Sequence, residues 1–392
     1  MRSRLRRRDP RRLKSLTEAA RRLTLDPLEP RILLNADVLA LDMAALSPER
    51  RDADLLVRML EETQQQQDAS VVVQRVEVLD RDGGALLAFG DLSEISAVSI
   101  LGGEGDESVI VDAASFGDAL IPELTFDGGG GLDLFGLQGA DDMIWTIDAL
   151  DSGSAMEGLN RFIFSDVENL EGAAGNEDSF VVVGDAGLSG LVEGGDGGFD
   201  VLTFEGGGFQ SLNYQVDGPQ SGVILRDDDP LAFSGFEPIF VTPANGTPQA
   251  GSSFTEFSVQ LSADDDPDAV LSFASGFFTL GSATNTFESI SFEMAPSGSI
   301  TIDGADGTDA VSIASFDPNF RGTLTVEAEA ITVEQAARIG DGVAGRLQAV
   351  ILSAEASDSD ASATGAASAT AAASVDVLGE VSANIVSLSA TA

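Results

Sequence analysis

Asp133 stands in Gly128-Gly129-Gly130-Gly131-Leu132-Asp133-Leu134-Phe135-Gly136, the stretch whose residue types and spacing best support chemistry. Glycines let backbone carbonyls converge, and the Asp133 carboxylate adds a hard oxygen, the ligand type Ca²⁺ takes. On this reading Gly129, Gly131 and Asp133 form part of a metal site. Relatives of the stretch recur as GGEGDESVI at Gly102, GAAGNEDSF at Gly172, GGDGGFDVL at Gly194 and GADGTDAVS at Gly304. In the last, Asp309 holds the ligand position and Ala305 replaces a glycine. Glu107 takes that position in the first copy, and Asp200 comes one place late in the Gly194 copy. The two good copies lie far apart in sequence. An isolated motif supplies roughly three ligands where Ca²⁺ takes about 6–8. Structural use of the turns is therefore the favoured reading, with Ca²⁺ as the cofactor of the alternative. Each copy sets a glycine–acid turn directly before a short run of β-branched and aromatic residues, which is a turn followed by a strand.

Other chemistry is bounded by composition. The chain has no Cys and no His. That removes Cys/His zinc sites, Ser-His-Asp and Cys-His catalysis, and any disulfide framework. Acidic runs such as Asp141-Asp142 and Asp227-Asp228-Asp229 would suit glycosidase chemistry only if paired across a cleft. Among 65 acidic residues such runs arise by chance. Residues 1–51 carry 12 Arg and one Lys against seven acidic residues, whereas the whole chain has a net charge of −44. The body is thus strongly acidic, which disfavours nucleic acid and favours cations as small partners.

The elements that carry these turns follow from pattern. Gly is 43 of 392 residues and aromatics are 6%, so many thin layers suit the chain better than one large core. Residues 1–24 read as a basic disordered leader. Residues 47–67 predict the one helix: Ser47 as cap, Pro48 at the first position, and an apolar stripe of Leu55, Leu56, Met59 and Leu60. That helix would cover the first β layer, with a Gln-rich linker running to residue 70. From Val71 short segments of strand character recur about every ten residues. Arg81-Asp82-Gly83-Gly84 marks a hairpin. Phe162, Phe164, Val167 and Leu170 predict an inward ladder, and Trp145 and Tyr214 predict packing positions rather than a sugar platform. The segment from Gly102 aligns with the one from Gly304, matching Phe116 to Phe316 and Leu124 to Leu324. LTVEAEA, VILSAEA and VSLSATA, from Leu324, Val350 and Val386, are near-copies offset by 26 and 36 residues. They predict rungs of a parallel β-helix. No apolar run approaches the length of a transmembrane helix.

Leu28-Glu29-Pro30-Arg31-Ile32-Leu33-Leu34, followed by Asn35-Ala36-Asp37, resembles the LEPR-XLL motif of large repetitive exported bacterial proteins, often adhesin- or haemagglutinin-like. Asn35 stands where that family more often has Ser or Gly. The resemblance implies that Leu28, Glu29, Pro30, Arg31, Leu33 and Leu34 address the chain to export machinery. Phe233 to Pro243, with Glu237-Pro238-Ile239, resembles the segment that closes repeat units in such proteins. The glycine–acid turns resemble the calcium-binding nonapeptides of RTX proteins, although those occur in tandem at about nine residues.

The expected fold is all-β: elongated parallel β-helix or β-solenoid-like repeats with a short N-terminal helix. The expected order is a leader (1–24), an export segment (25–46), helix and linker (47–70) and a first Gly/Asp-rich β unit (71–245). A linker with a β segment (246–290) and a second β unit (291–392) follow, the last continuing beyond Ala392 in a longer protein. The expected function is non-enzymatic: a structural scaffold or adhesin stalk, extracellular or at the bacterial surface, with a surface or matrix ligand. The alternatives are a calcium-responsive module and a carbohydrate-active β-helix enzyme.

Overall fold

The computed structural model describes residues 38–46, 54–66, 69–242, 254–262, 268–304, 309–340, 347–355 and 373–391. The regular structure there is strand, apart from two short 3-10 turns at Met43–Ala45 and Ala113–Phe116. Among the described residues, two sheets of 15 strands each hold all the strands except a small two-stranded ladder. The chain alternates between the two sheets. Val38–Asp42 opens the first, Ser108–Asp112 joins the second, Glu123–Asp127 returns to the first and Leu134–Gln138 to the second. Strands that follow one another within a sheet this way pair in parallel. Their registers advance by 22 residues between Ser179 and Val201 and by 26 between Ser108 and Leu134.

At four places the chain makes an antiparallel three-stranded excursion within one sheet before crossing over. One is Ile144–Ala149, Ser152–Glu157 and Asn160–Ser165. Another is Ser211–Gly218, Ser221–Arg226 and Asp229–Ser234. Its second turn holds Asp227 and Asp228 at φ +49° and +69°. Two positive φ values in succession match the twist of a tight hairpin. The Asp227-Asp228-Asp229 run is therefore a turn. The Asp227 carboxylate accepts the backbone N–H groups of Gln210 and Ser211.

The expected helix is a strand. Asp54–Gln66 pairs antiparallel with Ala69–Asp80 along its length and in parallel with Ser108–Asp112. Leu55 and Val57 are buried at period two, while Leu60, part of the supposed helical stripe, is 40% exposed. Two ladders of backbone hydrogen bonds outweigh a helix propensity that differs by only tenths of a kcal/mol per residue. Ser47, Pro48 and Glu49 lie outside the described residues. The end-covering role falls to this hairpin: Leu86–Asp91, its last strand, meets Val38–Asp42 at the other sheet's edge, and Gly90 packs near Leu39.

Between the sheets lies the core. Inward positions hold column by column: Leu124 pairs with Phe162, Trp145 with Phe180, Phe180 with Leu202, and Leu202 with Ile239, each at most 1% exposed. The Trp145 and Phe180 rings stack at 5.0 Å and 5°, and Phe257 stacks on Phe292 at 3.9 Å. Phe162, Phe164, Val167, Leu170 and Tyr214 are buried as expected. Leu324, Val350 and Val386 share one column through the parallel strands Thr323–Ala328, Ala349–Glu355 and Ile385–Thr391. Both sheets join strands from the first expected β unit to later ones, since Ile239–Thr242 pairs with Ile290–Phe292 and Ser211–Gly218 with Glu256–Gln260. The export-motif residues and the leader lie outside the described residues.

Candidate functional site

The glycine–acid turns come together in pairs. The Gly102 and Gly128 turns precede Ser108–Asp112 and Leu134–Gln138, neighbours in one sheet. The Gly172 and Gly194 turns precede Ser179–Val183 and Val201–Glu205, neighbours in the other. Separation in sequence is one coil of the chain, and the fold converts it into contact. The Gly304 turn stands apart from both pairs, with Asp309 directly before Ala310–Ile313.

Glycine is required because adjacent turns nearly touch. Gly130 donates its N–H to the Gly103 carbonyl at 2.9 Å. Gly131 has φ +138°, and a Cβ there would collide with the Gly105 carbonyl. Gly129, at φ +88°, would bring a Cβ within 2.5 Å of the Gly103 oxygen. Gly131→Ala is expected to lower stability by about 1–3 kcal/mol, since strained backbone and steric conflict add. Thermal melts of the variant check this, and an unchanged Tm would refute the close-approach argument.

One acid of each turn stands just before a strand, and the carboxylates of Asp133, Asp178 and Asp200 there accept backbone N–H groups. The N–H of Glu107 donates to Asp133 Oδ1 at 2.7 Å, and the N–H of Asp133 donates to Glu168 Oε2 at 2.7 Å. In the other sheet the N–H of Met143 donates to Asp178 Oδ1 at 2.8 Å, and that of Asp178 to Asp200 Oδ1 at 2.7 Å. Asp309 donates its N–H to Glu329 Oε2 at 2.7 Å. The rule is common to all: the residue before a strand gives its N–H to the carboxylate at the matching position one coil on. A buried donor is thereby satisfied where the ladder has yet to begin.

Asp178 is the residue that sequence reading missed. It also accepts the Ala173 N–H at 3.2 Å and the Asn176 side-chain amide, and is fully buried. The register Ser179↔Val201 shows that Asp178 and Asp200 share one late position in turns one residue longer than the Gly128 turn. Two late acids in two neighbouring copies were the available signal. Asp178→Ala is expected to cost about 1–3 kcal/mol by orphaning Met143 and Ala173 donors, while Asp178→Asn keeps an acceptor and costs less. Urea titrations of the two variants check this order.

Burial governs the electrostatics. It pushes the Asp133 carboxyl above its ordinary range, against hydrogen bonds from Glu107 that pull it down. Burial likewise raises Asp178 and Glu168. Asp200 is raised to about 6, by burial first and then by the nearby charge of Asp178, against the hydrogen bond from the Asp178 N–H. Asp133 Oδ2 is buried without a hydrogen-bond partner, beside the Gly128 backbone. Among the described residues no group of three or more acids is arranged to hold a metal ion.

A second acidic place lies on the outer side. Glu171 and Glu193 are cross-strand neighbours in a cleft of about 260 Å³ that Arg81 and Asp196 also line. Burial and then the Glu193 charge raise Glu171, and Arg81 opposes them. The buried Arg226 is a clamp: its guanidinium donates to the Gly184 and Ala186 carbonyls and lies 5.1 Å from the Phe204 ring centroid.

No protein-family model matches this chain, and neither does any curated protein or solved structure.

Proposed function

We propose that this chain is a non-catalytic scaffold, a β-solenoid stalk of a repetitive exported protein that works at the bacterial surface or outside the cell. The observation that carries it is the register. Inward positions stay inward from strand to strand through two continuous sheets, and Asp133, Asp178 and Asp200, each just before a strand, accept backbone N–H groups. Side chains engaged in capping are poor candidates for turnover. Fifteen strands at about 4.8 Å spacing give a sheet roughly 70 Å across, a shape suited to reach. The charge of −44 keeps such surfaces apart in solution. Small-angle scattering is expected to give a skewed pair-distance distribution with a long tail, and a symmetric, compact distribution would remove the solenoid stalk. Export rests on the LEPR-XLL resemblance. Deleting residues 25–37, which spares the strand Val38–Asp42, is expected to retain the protein inside producing cells, as read by protease accessibility on intact cells.

A second reading, a calcium-responsive module, is favoured by one observation. The fold brings the Gly102 and Gly128 turns side by side, with Asp133 Oδ2 lacking a hydrogen-bond partner. Circular dichroism in calcium and in chelator separates the two readings. An unchanged folded spectrum in chelator supports the scaffold and sinks the switch. A calcium response lost in Asp133→Asn without loss of fold would restore the ion.

A further inference from the structure

The outer face of the first sheet carries a shallow depression of about 480 Å³, lined by Thr203, Phe240, Thr242, Phe277 and Ser291. Its floor follows from register. Thr203 pairs with Phe240, and Phe240 with Ser291, so three outward side chains of adjacent strands form one row. Ser291 pairs in turn with Thr279, and their hydroxyls hydrogen-bond at 2.9 Å. Thr242 lies two residues beyond Phe240 on the same face, and Phe277 two residues before Thr279.

Several outward or half-buried rings are taken up by neighbours: Arg75 lies over Phe89, Phe209 stacks on Phe254, and Phe273 packs on Phe278 at 4.9 Å, while Phe199 stands out from a turn at 51% exposure. Phe240 and Phe277 instead open onto the depression, beside three hydroxyls. None of the five lining residues carries a charge, in a chain whose net charge is −44.

We propose that this depression binds a neutral polysaccharide. A sugar ring has an apolar C–H face and an equatorial rim of hydroxyls. The negative face of a phenyl ring attracts the C–H face, and Ser and Thr hydroxyls both donate to and accept from the rim. A few polar groups in an otherwise apolar concavity are what small-ligand recognition uses. The acidic body repels polymers bearing uronate, sulfate or phosphate, so the ligand is uncharged. A protein partner fits less well: five lining residues compare with about 20–30 per side in a stable protein interface. The inference does not rest on the stalk reading, because the patch uses only outward residues of four strands.

The test is electrophoresis of the whole chain in native gels containing soluble hydroxyethylcellulose, xyloglucan, glucomannan or alginate. At least one neutral polymer is expected to retard the protein while alginate does not. Phe240→Ala/Phe277→Ala is expected to weaken the interaction about tenfold or more. Far-UV circular dichroism checks that its fold is retained. Thr203→Lys, which fills the depression from a different strand, is expected to abolish retardation and serves if the double variant misfolds. The proposal is overturned if no neutral polymer retards the chain, if alginate retards it equally, or if the variants migrate like the parent. A dimer in sedimentation that the double variant dissolves would also overturn it, making the patch a contact between copies. Any of these failures leaves the scattering result, and with it the stalk, untouched.

Discussion

Trp145→Ala is expected to destabilise the protein by about 3–5 kcal/mol, the largest effect of any single substitution considered. The indole is fully buried. It stacks on Phe180 at 5.0 Å, meets Phe135 edge-on at 5.9 Å and lies 6.4 Å from Phe164. Those three rings come from both sheets, so the void would open between the two layers. Its flanking column neighbours are Ala155 and Phe180, one small and one large. Alanine at 145 beside Ala155 would leave two small residues in succession, and packed strands cannot collapse to close the gap. Trp145→Phe retains a ring and is expected to cost less than half as much. Trp145 is the chain's one tryptophan, so urea titrations followed by far-UV circular dichroism are the suitable readout. Equal midpoints for the parent and Trp145→Ala would show that the layers are not packed as described.

The second large effect is a stability that falls as pH rises from mildly acidic to neutral. Asp200 is 3% exposed, and its carboxyl is raised from 3.8 to about 6. A folded-state pKa above the unfolded value means that the folded chain holds the proton more tightly. The stabilisation is then full below the unfolded value and lost as pH rises through about 6. Between pH 7.5 and pH 5 this one group is expected to add about 1.4 kcal/mol of stability, and on the order of 3 kcal/mol at its limit. Burial shifts Asp133, Asp178, Glu288 and Glu293 in the same direction. Asp227 opposes them: hydrogen bonds from Ser211 and Gln210 hold it low, so its contribution is lost only at more acidic pH. Relief of the −44 net charge on protonation acts with the buried acids. Melting temperatures across this range are expected to peak on the acidic side. Asp200→Asn keeps an oxygen for the Asp178 N–H, and is expected to flatten the slope and raise stability at pH 7.5. A melting temperature that climbs toward neutral pH, or an unchanged slope in Asp200→Asn, would contradict the burial argument.

Both predictions depend on neighbours that local sequence does not name. Alternation of apolar with small or polar residues is a property of each segment, and it identified strands at Leu134–Gln138, Asn160–Ser165 and Val201–Glu205 without any partner. The hairpin at Arg81 to Gly84 was equally local, because its turn residues carry the backbone requirement themselves. The near-copies at Leu324, Val350 and Val386 went further, since identical alternation at those offsets set the register that the strands adopt. The stretch from Asp54 to Gln66 went the other way. Leu55, Leu56, Met59 and Leu60 fit a helix as well as a strand, and only pairing with Ala69–Asp80 and Ser108–Asp112 decided between them. Apart from that hairpin, the antiparallel excursions were hidden for a similar reason: nothing in a strand's own pattern tells whether its neighbour runs parallel.

The glycine–acid turns divide along the same line. Sequence by itself determined that glycine and a carboxylate stand directly before a strand, because turn geometry is written in φ and in side-chain length. It also determined that no Cys or His chemistry is open to this chain. Only the tertiary structure decided what the carboxylates do. Coils of 22 to 26 residues bring the Gly102 turn against the Gly128 turn and the Gly172 turn against the Gly194 turn. In those contacts the Asp133 and Asp200 oxygens meet the backbone N–H groups of Glu107 and Asp178 one coil away, which otherwise would be buried without an acceptor. A short carboxylate serves the nearest unsatisfied donor, and which donor is nearest is fixed by stacking, not by the nine residues of the motif.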